Sequence, residues 1–491
     1  MRLQVQVQVK EALQAALQAL KAQGAEYADA RWERHRSERI LVRNGQVAAL
    51  TQHQDEGFGI RVLYKGAWGF AASPFLTEQE IEQVARRAFE IAKASALTVK
   101  EPIRLDDWEP QRGQYASPCE RDPFAIPLDA KLELLFRADE ILRKAPEVQT
   151  AESHLRFHAV EKLFLSSDGA EIAQRFVYSG GGLEVKAVAN GEAQQRSYPA
   201  AHGGDTAARG FEFIESLKLV EHAERTREEA LQLLRAEPCP AGEFDVVLDT
   251  NQLALQIHES CGHPTELDRA LGMELSFAGG SFMTPDQLRK LRYGSELVTL
   301  TADATIPGAL GSFGYDDEGV PAQRWPLVER GLFVGYLSSR DTAPKIGQRS
   351  TGACRAESWN RVPIVRMVNI SLEPDPDGPS LEELIADTKR GLLLSTNKAW
   401  SIDDRRLNFQ FGCEIAWEIK DGKLGRVLKN PVYTGITPEF WNRCDAVCNP
   451  KEWRMWGLTN CGKGEPMQTM SVGHGAAPAR FRRVKVGGGQ P

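Results

Sequence analysis

The residues that could do chemistry gather first in one short run, His258-Glu259-Ser260-Cys261-Gly262-His263. Two imidazoles beside a carboxylate are the parts of a hydrolytic metal site, two ligands and a general base. Zinc in such a site takes three protein ligands and keeps one position open for water. In the common form the two His lie four residues apart on one helix face; here they lie five apart. Five residues of regular α-helix turn the rings roughly 140° away from each other. An unbroken α-helix therefore cannot aim both at one ion. Gly262 is a natural helix terminator, and Pro264 cannot continue a helix. The expectation is a helix that ends near Cys261 and a turn that swings His263 back toward His258. A π-bulge is the other geometric solution.

The third ligand must come from elsewhere in the chain, and a carboxylate, an imidazole or a thiolate would each serve. The best candidate is Cys461, because Gly462 and Gly464 beside it let the backbone come close to a site. Cys261 lies inside the motif but two residues before His263, so it is expected to point elsewhere. Cys444 and Cys448 read as structural, having no second pair. His474, in Val472-Gly473-His474-Gly475, is a candidate to stabilise an oxyanion or touch substrate. His154 and His158 lie in an alternating stretch and read as ordinary strand residues. Asp403-Asp404-Arg405-Arg406 reads as a solvated turn with internal ion pairs. Trp441, Trp453 and Trp456 read as core packing. No P-loop and no G-x-S-x-G elbow occurs in the sequence.

The elements that must hold these residues divide in two. Up to residue 236 the pattern alternates helices with hairpins. Helices are expected over 10–22, 77–94, 128–144 and 225–234, and strands over 39–50, 57–72 and 152–198, with Asn44-Gly45, Lys65-Gly66, Asp168-Gly169 and Asn190-Gly191 as turns. Residues 100–125 read as a connector. From 237 onward the expectation is a strand over 244–248, a helix running into the His-Glu motif, and then short strands. Glu318-Gly319, Arg330-Gly331 and Asp421-Gly422 serve as hairpin tips there, with one helix over 380–390. The fold class is thus α+β. An N-terminal α/β domain with an antiparallel sheet and flanking helices (1–236) precedes a mostly antiparallel, β-rich domain (237–491) that carries the metal-motif helix.

Composition narrows the function classes. A net charge of −7 argues against a broad nucleic-acid footprint. Eight cysteines over 491 residues are too sparse for a disulfide scaffold, and no apolar run reaches the length of a membrane span. Residues 1–7 lack the apolar core of a signal peptide. A reducing, cytoplasmic setting is expected, without membrane or nucleic-acid partners.

The stretch from His258 to Glu266 resembles the metal motif of the TldD/PmbA peptidases, and Asn460-Cys461-Gly462-Lys463-Gly464 resembles their C-terminal cysteine motif. Gly57-Phe58-Gly59-Ile60-Arg61-Val62, Gly66-Ala67-Trp68-Gly69-Phe70, the run from Thr396 to Asp403 and Gly473-His474-Gly475-Ala476 are also similar to that family. Of its two branches the chain is similar to TldD, since the PmbA branch (also called TldE) lacks the metal ligands. The resemblance implies zinc held by His258, His263 and Cys461, with Glu259 as general base. It implies a dimer, typically a TldD-like chain paired with a PmbA/TldE-like chain around an enclosed cavity, although a homodimer stays open. It implies unfolded peptide substrates, including precursors of modified peptides, held largely through main-chain contacts. Two other readings stay open: a cysteine hydrolase with Cys461 as nucleophile and His474 or His263 as base, and a zinc-stabilised peptide-binding scaffold without turnover.

Overall fold

The computed structural model describes residues 2–487 except 278 and 465, with side chains from residue 7 onward. Hairpins build the first sheet. Asn44 and Gly45 both take positive φ, 49° and 78°. This is the two-residue turn whose twist matches flanking strands, and it joins Tyr27–Arg43 to Gln46–Tyr64. Lys65-Gly66 repeats the device and adds Ala67–Ser73. Val148–Ser166 returns to pair with Tyr27–Arg43, and Glu171–Ala189 pairs with it in turn. The sheet is mainly antiparallel.

Two pairs of helices cover stretches of this sheet. Glu78–Ala96 buries Ile81, Val84, Ala85, Ala88, Phe89 and Ala92, a helical stripe of apolar residues, and Thr77 caps its start. Together with Leu13, Leu17 and Leu20 this stripe packs on Ala28, Ala30, Trp32, Phe58, Ile60 and Val62. Leu128–Leu142 and Leu219–Arg235 cover Ile40, Val42, Leu155, Leu183 and Val185.

Some elements differ from expectation. The 100–125 connector holds a short strand, Arg112–Ala116, parallel to Glu171–Ala189. The helix expected over 225–234 begins at Leu219 and is preceded by Phe211–Leu217. The two meet at Lys218, in left-handed conformation with φ 49°. No Gly, Pro or Asn marks that corner, so the sequence pattern hides it.

Beyond residue 236 one large core lies between two main sheets. The first runs through Gly242–Leu248, Arg390–Ile402, Asn408–Lys420 and Ala479–Val486. The second contains Leu300–Asp303, Asn369–Leu372, Gln468–Ala476 and Arg454–Lys463. Pairing is mostly antiparallel, as expected. Gly242–Leu248 with Arg390–Ile402, Asn369–Leu372 with Gln468–Ala476 and Glu237–Pro238 with Lys423–Lys429 are parallel. The turn at Glu318-Gly319 docks against the first sheet, with Arg61 on Glu318 at 3.2 Å and Lys162 on Asp317 at 2.7 Å. Among the described residues no helix is long and apolar enough to cross a membrane.

Candidate metal centre

Strand Gly242–Leu248 runs into the motif helix through Asp249, whose carboxylate accepts from the Thr250 amide at 2.7 Å. The helix is regular over Thr250–Ile257, but it does not stop near Cys261. From His258 to Gly262 the backbone stays helical and widens into a π turn. Over His263–Thr265 it tightens into a 3₁₀ turn. Gly262 has φ −55° and ψ −64°, and the His263 amide donates to the His258 carbonyl. The expected break is therefore replaced by the other solution. An i→i+5 bond sets residue 263 over residue 258, much as i→i+4 bonds stack neighbours in an α-helix. The two rings meet edge to face with centroids 4.8 Å apart.

The two residues that suggested a break have different roles. A Cβ at Gly262 would lie 2.3 Å from Met367 Sδ, so glycine makes room here. Pro264 sits in the first turn of the 3₁₀ segment, where its missing N–H is tolerated. Carbonyls around the widened turn are met by hydroxyls. Tyr293 donates to Ser260 O at 2.9 Å, and Thr265 to Cys261 O at 2.8 Å and Gly262 O at 3.0 Å.

Cys461 arrives from strand Arg454–Lys463, paired opposite Met470. Its Sγ lies 3.6 Å from His263 Nε2, and the donor atoms of His258, His263 and Cys461 all lie within 4.8 Å of one another. A tetrahedral zinc with bonds of ~2.0 Å to nitrogen and ~2.3 Å to sulfur sets the two about 3.5 Å apart. The donor set fits that ion in kind, and the Cys461–His263 pair fits it in spacing.

Hydrogen bonds fix which nitrogen of each ring is free. His474 Nδ1 faces the Ile370 carbonyl at 3.3 Å, and a carbonyl only accepts, so Nδ1 carries the proton. His474 Nε2 must then accept from His258 Nδ1, 2.8 Å away, which leaves the His258 Nε2 lone pair free. His263 Nδ1 donates to Glu266 Oε2 at 2.9 Å, which frees Nε2 on the side of Cys461. Burial keeps both rings neutral, pushing His258 down to about 4 and His263 well below the usual range. Burial alone would raise the Cys461 thiol. The Arg366 guanidinium, 3.1 Å from Sγ, works against burial, and the thiol lies below its ordinary value. Neutral imidazole and thiolate are the forms that bind metal.

His474 thus lies behind His258, buried at 2% exposure, with neither ring nitrogen left to donate to a substrate. The oxyanion role expected for it has no free N–H. What it does is set the tautomer of His258. His474→Phe is expected to weaken zinc binding by about 10–100-fold, read by competition with a chromophoric chelator. An unchanged affinity would remove His474 from the site.

Glu259 is also buried, and its Oε2 accepts from Arg406 Nη1 at 2.5 Å. The 403–406 turn is therefore not simply a solvated one, because Arg406 reaches into the centre. Sequence reasoning also missed Glu266, Arg366 and Lys463. Lys463 Nζ bonds both oxygens of Asp268 at 2.6 and 2.8 Å and lies 3.6 Å from Glu266. Glu266 and Lys463 carry a faint local signal, three residues from His263 and two from Cys461. Arg366 and Arg406 carry none. The other candidates stand away from the triad. His154 faces the Gly203 carbonyl at 3.1 Å, and His158 pairs with His35 at 3.0 Å. Cys444 and Cys448 are packed in the core, and Trp441, also in the core, donates to Ser260 Oγ at 2.9 Å.

The chain matches known proteins along nearly its whole length. Family profiles described as PmbA/TldA metallopeptidase domain 1, central domain and C-terminal domain match residues 28–92, 121–234 and 241–488. A protein of Methanocaldococcus jannaschii named a metalloprotease is 32% identical over 93% of this chain and 96% of its own. A Saccharolobus solfataricus protein named a zinc metalloprotease TldD homolog is 22% identical over 95% of this chain and 97% of its own. The crystal structure of TldE from Thermococcus kodakarensis shares the fold, with a TM-score of 0.73 at 18% identity, covering 97% of this chain and all of that one. With three successive profiles spanning more than half of its residues, this chain belongs to the PmbA/TldD metallopeptidase family.

Proposed function

We propose that this chain is a zinc-dependent peptidase of the TldD branch that hydrolyses unfolded or small peptides, precursors of modified peptides among them, in the cytoplasm. The observation that carries the reading is the convergence of His258, His263 and Cys461 to within 4.8 Å, with Glu259 on the same π turn. Zinc held by these three would acidify a water and polarise a peptide carbonyl. The chain's own residues do the rest. Glu259 takes the proton from the attacking water and returns it to the leaving amine. His474 and Glu266 keep the ligand lone pairs pointed inward, and Arg366 favours the anionic form of the Cys461 sulfur. We place this apparatus in a C-terminal domain of residues 237–491, joined to an N-terminal domain of residues 1–236. The likeness to TldE supports a dimer with a PmbA/TldE-like chain.

One observation favours a second reading. Cys461, His263 and Glu266 are spaced as a thiol hydrolase would need, with 3.6 Å and 2.9 Å between successive members. That reading leaves His258 and Glu259 without a task. One experiment separates the two and tests turnover itself. Purified protein is incubated with an unstructured peptide, and fragments are followed by mass spectrometry before chelation, after chelation and after zinc add-back. The expected result is cleavage that chelation abolishes and zinc restores. Cleavage that survives chelation but stops with a thiol-alkylating reagent would establish the cysteine enzyme. An uncut peptide on stoichiometrically zinc-loaded protein would mean a scaffold.

A further inference from the structure

Arg406 is held at the centre by its backbone, in a conformation that an L residue adopts reluctantly. Its φ is 63°, in the left-handed region. The turn around it is tied on every side. The Arg406 amide donates to Asp403 O at 2.9 Å, and its carbonyl accepts from the Thr437 hydroxyl at 2.9 Å. The Leu407 amide donates to the Asp403 carboxylate at 2.8 Å, and Arg405 O accepts from the Phe282 amide at 3.0 Å. A turn fixed so thoroughly aims one side chain, and the guanidinium reaches Glu259 with a single nitrogen, Nη1. The Nε–H of the same fork is buried with no hydrogen-bond partner among the described residues. An unmet buried donor on a cation is costly unless something comes to accept it.

The other cations of the centre are enclosed. Arg269, Arg366 and Lys463 have fully buried side chains, whereas that of Arg406 keeps 17% exposure. His474 has no N–H to offer. Arg406 is thus the cation beside the general base whose side chain keeps an exposed face.

We propose that Arg406 is a further catalytic residue, which donates through its unused fork to the carbonyl oxygen of the scissile peptide. The assignment rests on Glu259 being the base. As the water oxygen bonds to the carbonyl carbon, the C=O electron pair moves onto oxygen and Glu259 takes the water's proton. Arg406 stabilises the resulting oxyanion by hydrogen bonding and keeps its own protons. When the C=O bond re-forms, the C–N bond breaks and the amine leaves with the proton that Glu259 held. Before substrate arrives, the ion pair with Glu259 keeps the guanidinium parked at the point of attack.

The test uses the full-length, zinc-loaded chain and an internally quenched unstructured peptide. Arg406→Gln is expected to lower kcat by about 10²–10³-fold, the effect of losing one oxyanion donor, with KM within about threefold. Zinc content and melting temperature should not change. A phosphinic peptide, which presents a tetrahedral oxyanion in place of the scissile amide, should lose affinity by a similar factor. Arg406→Lys, which keeps the charge but loses the fork, should fall between. Unchanged or raised kcat in Arg406→Gln would make Arg406 merely a restraint on Glu259. A loss confined to KM would make it a ground-state binder. Either result overturns the proposal. If Arg406→Gln does not fold, Arg406→Lys decides, and wild-type kcat and phosphinic affinity there overturn it too. Glu259→Gln measured in parallel separates the premises. An inactive Glu259→Gln beside a fully active Arg406→Gln rejects only the arginine, whereas an active Glu259→Gln rejects the base.

Discussion

Glu259→Gln is expected to lower peptidase turnover by about 10²–10⁴-fold, the range over which a positioned general base accelerates proton transfer, while bound zinc stays at the wild-type level. Glutamine has the same shape, and its amide oxygen can still accept from Arg406 where Oε2 does now, at 2.5 Å. The change removes none of the three donor atoms that converge within 4.8 Å. Packing around a residue only 5% exposed is also kept. What disappears is the ability to take a proton. Turnover and metal content, measured on one preparation, therefore part company. If they fall together, Glu259 is holding the centre together; if turnover persists with zinc bound, Glu259 is not the base.

The largest effect on stability is expected from Lys463→Met. The Lys463 ammonium has no exposed surface and donates to Asp268 Oδ1, Asp268 Oδ2 and the Val365 carbonyl, at 2.6, 2.8 and 2.6 Å. Removing one member of a buried ion pair leaves the other uncompensated, a loss of about 3–5 kcal/mol. Burial already pushes the Asp268 carboxyl up, and Lys463 opposes that. Without the lysine, Asp268 must take up a proton or draw in water. Denaturant unfolding at fixed zinc concentration measures the effect. Lys463→Met combined with Asp268→Leu should recover most of the loss, because no charge is then left stranded. A single-variant loss under about 1 kcal/mol would mean that water reaches the pair. Glu266 lies 3.6 Å from the same ammonium and orients His263, so zinc affinity should weaken in the single variant as well.

What could be read in advance follows the range of each interaction. Hairpins at Asn44-Gly45 and Lys65-Gly66 announce themselves because two adjacent residues decide the turn. The stripe along Glu78–Ala96 shows for the same reason, through its period. The meeting of His258, His263 and Cys461 was legible because metal chemistry restricts residue types so strongly. Arg366 and Arg406 were not. Their partners, Cys461 and Glu259, lie 95 and 147 residues away in sequence, and arginine is everywhere a plausible surface residue. His474 was visible as a candidate but was expected to face substrate, since only the register that sets it against Ile370 reveals its direction. Gly262 and Pro264 misled because a breaker is a local inference. Close approach to Met367 and the change from a π to a 3₁₀ turn are tertiary facts.

The widened turn at His258–Gly262 also acts as a phase shifter. One residue more than an α-helical turn rotates all that follows by roughly 100° about the helix axis. Shortening the run between the histidines by one residue would restore the four-residue spacing and a straight helix. It would also swing Asp268 out of line with Lys463, the partner it now meets at 2.6 Å. The five-residue spacing is thereby locked to Asp268 downstream of it. Such a deletion, however well it suits two rings on a helix, is expected to bind zinc more weakly than the native chain.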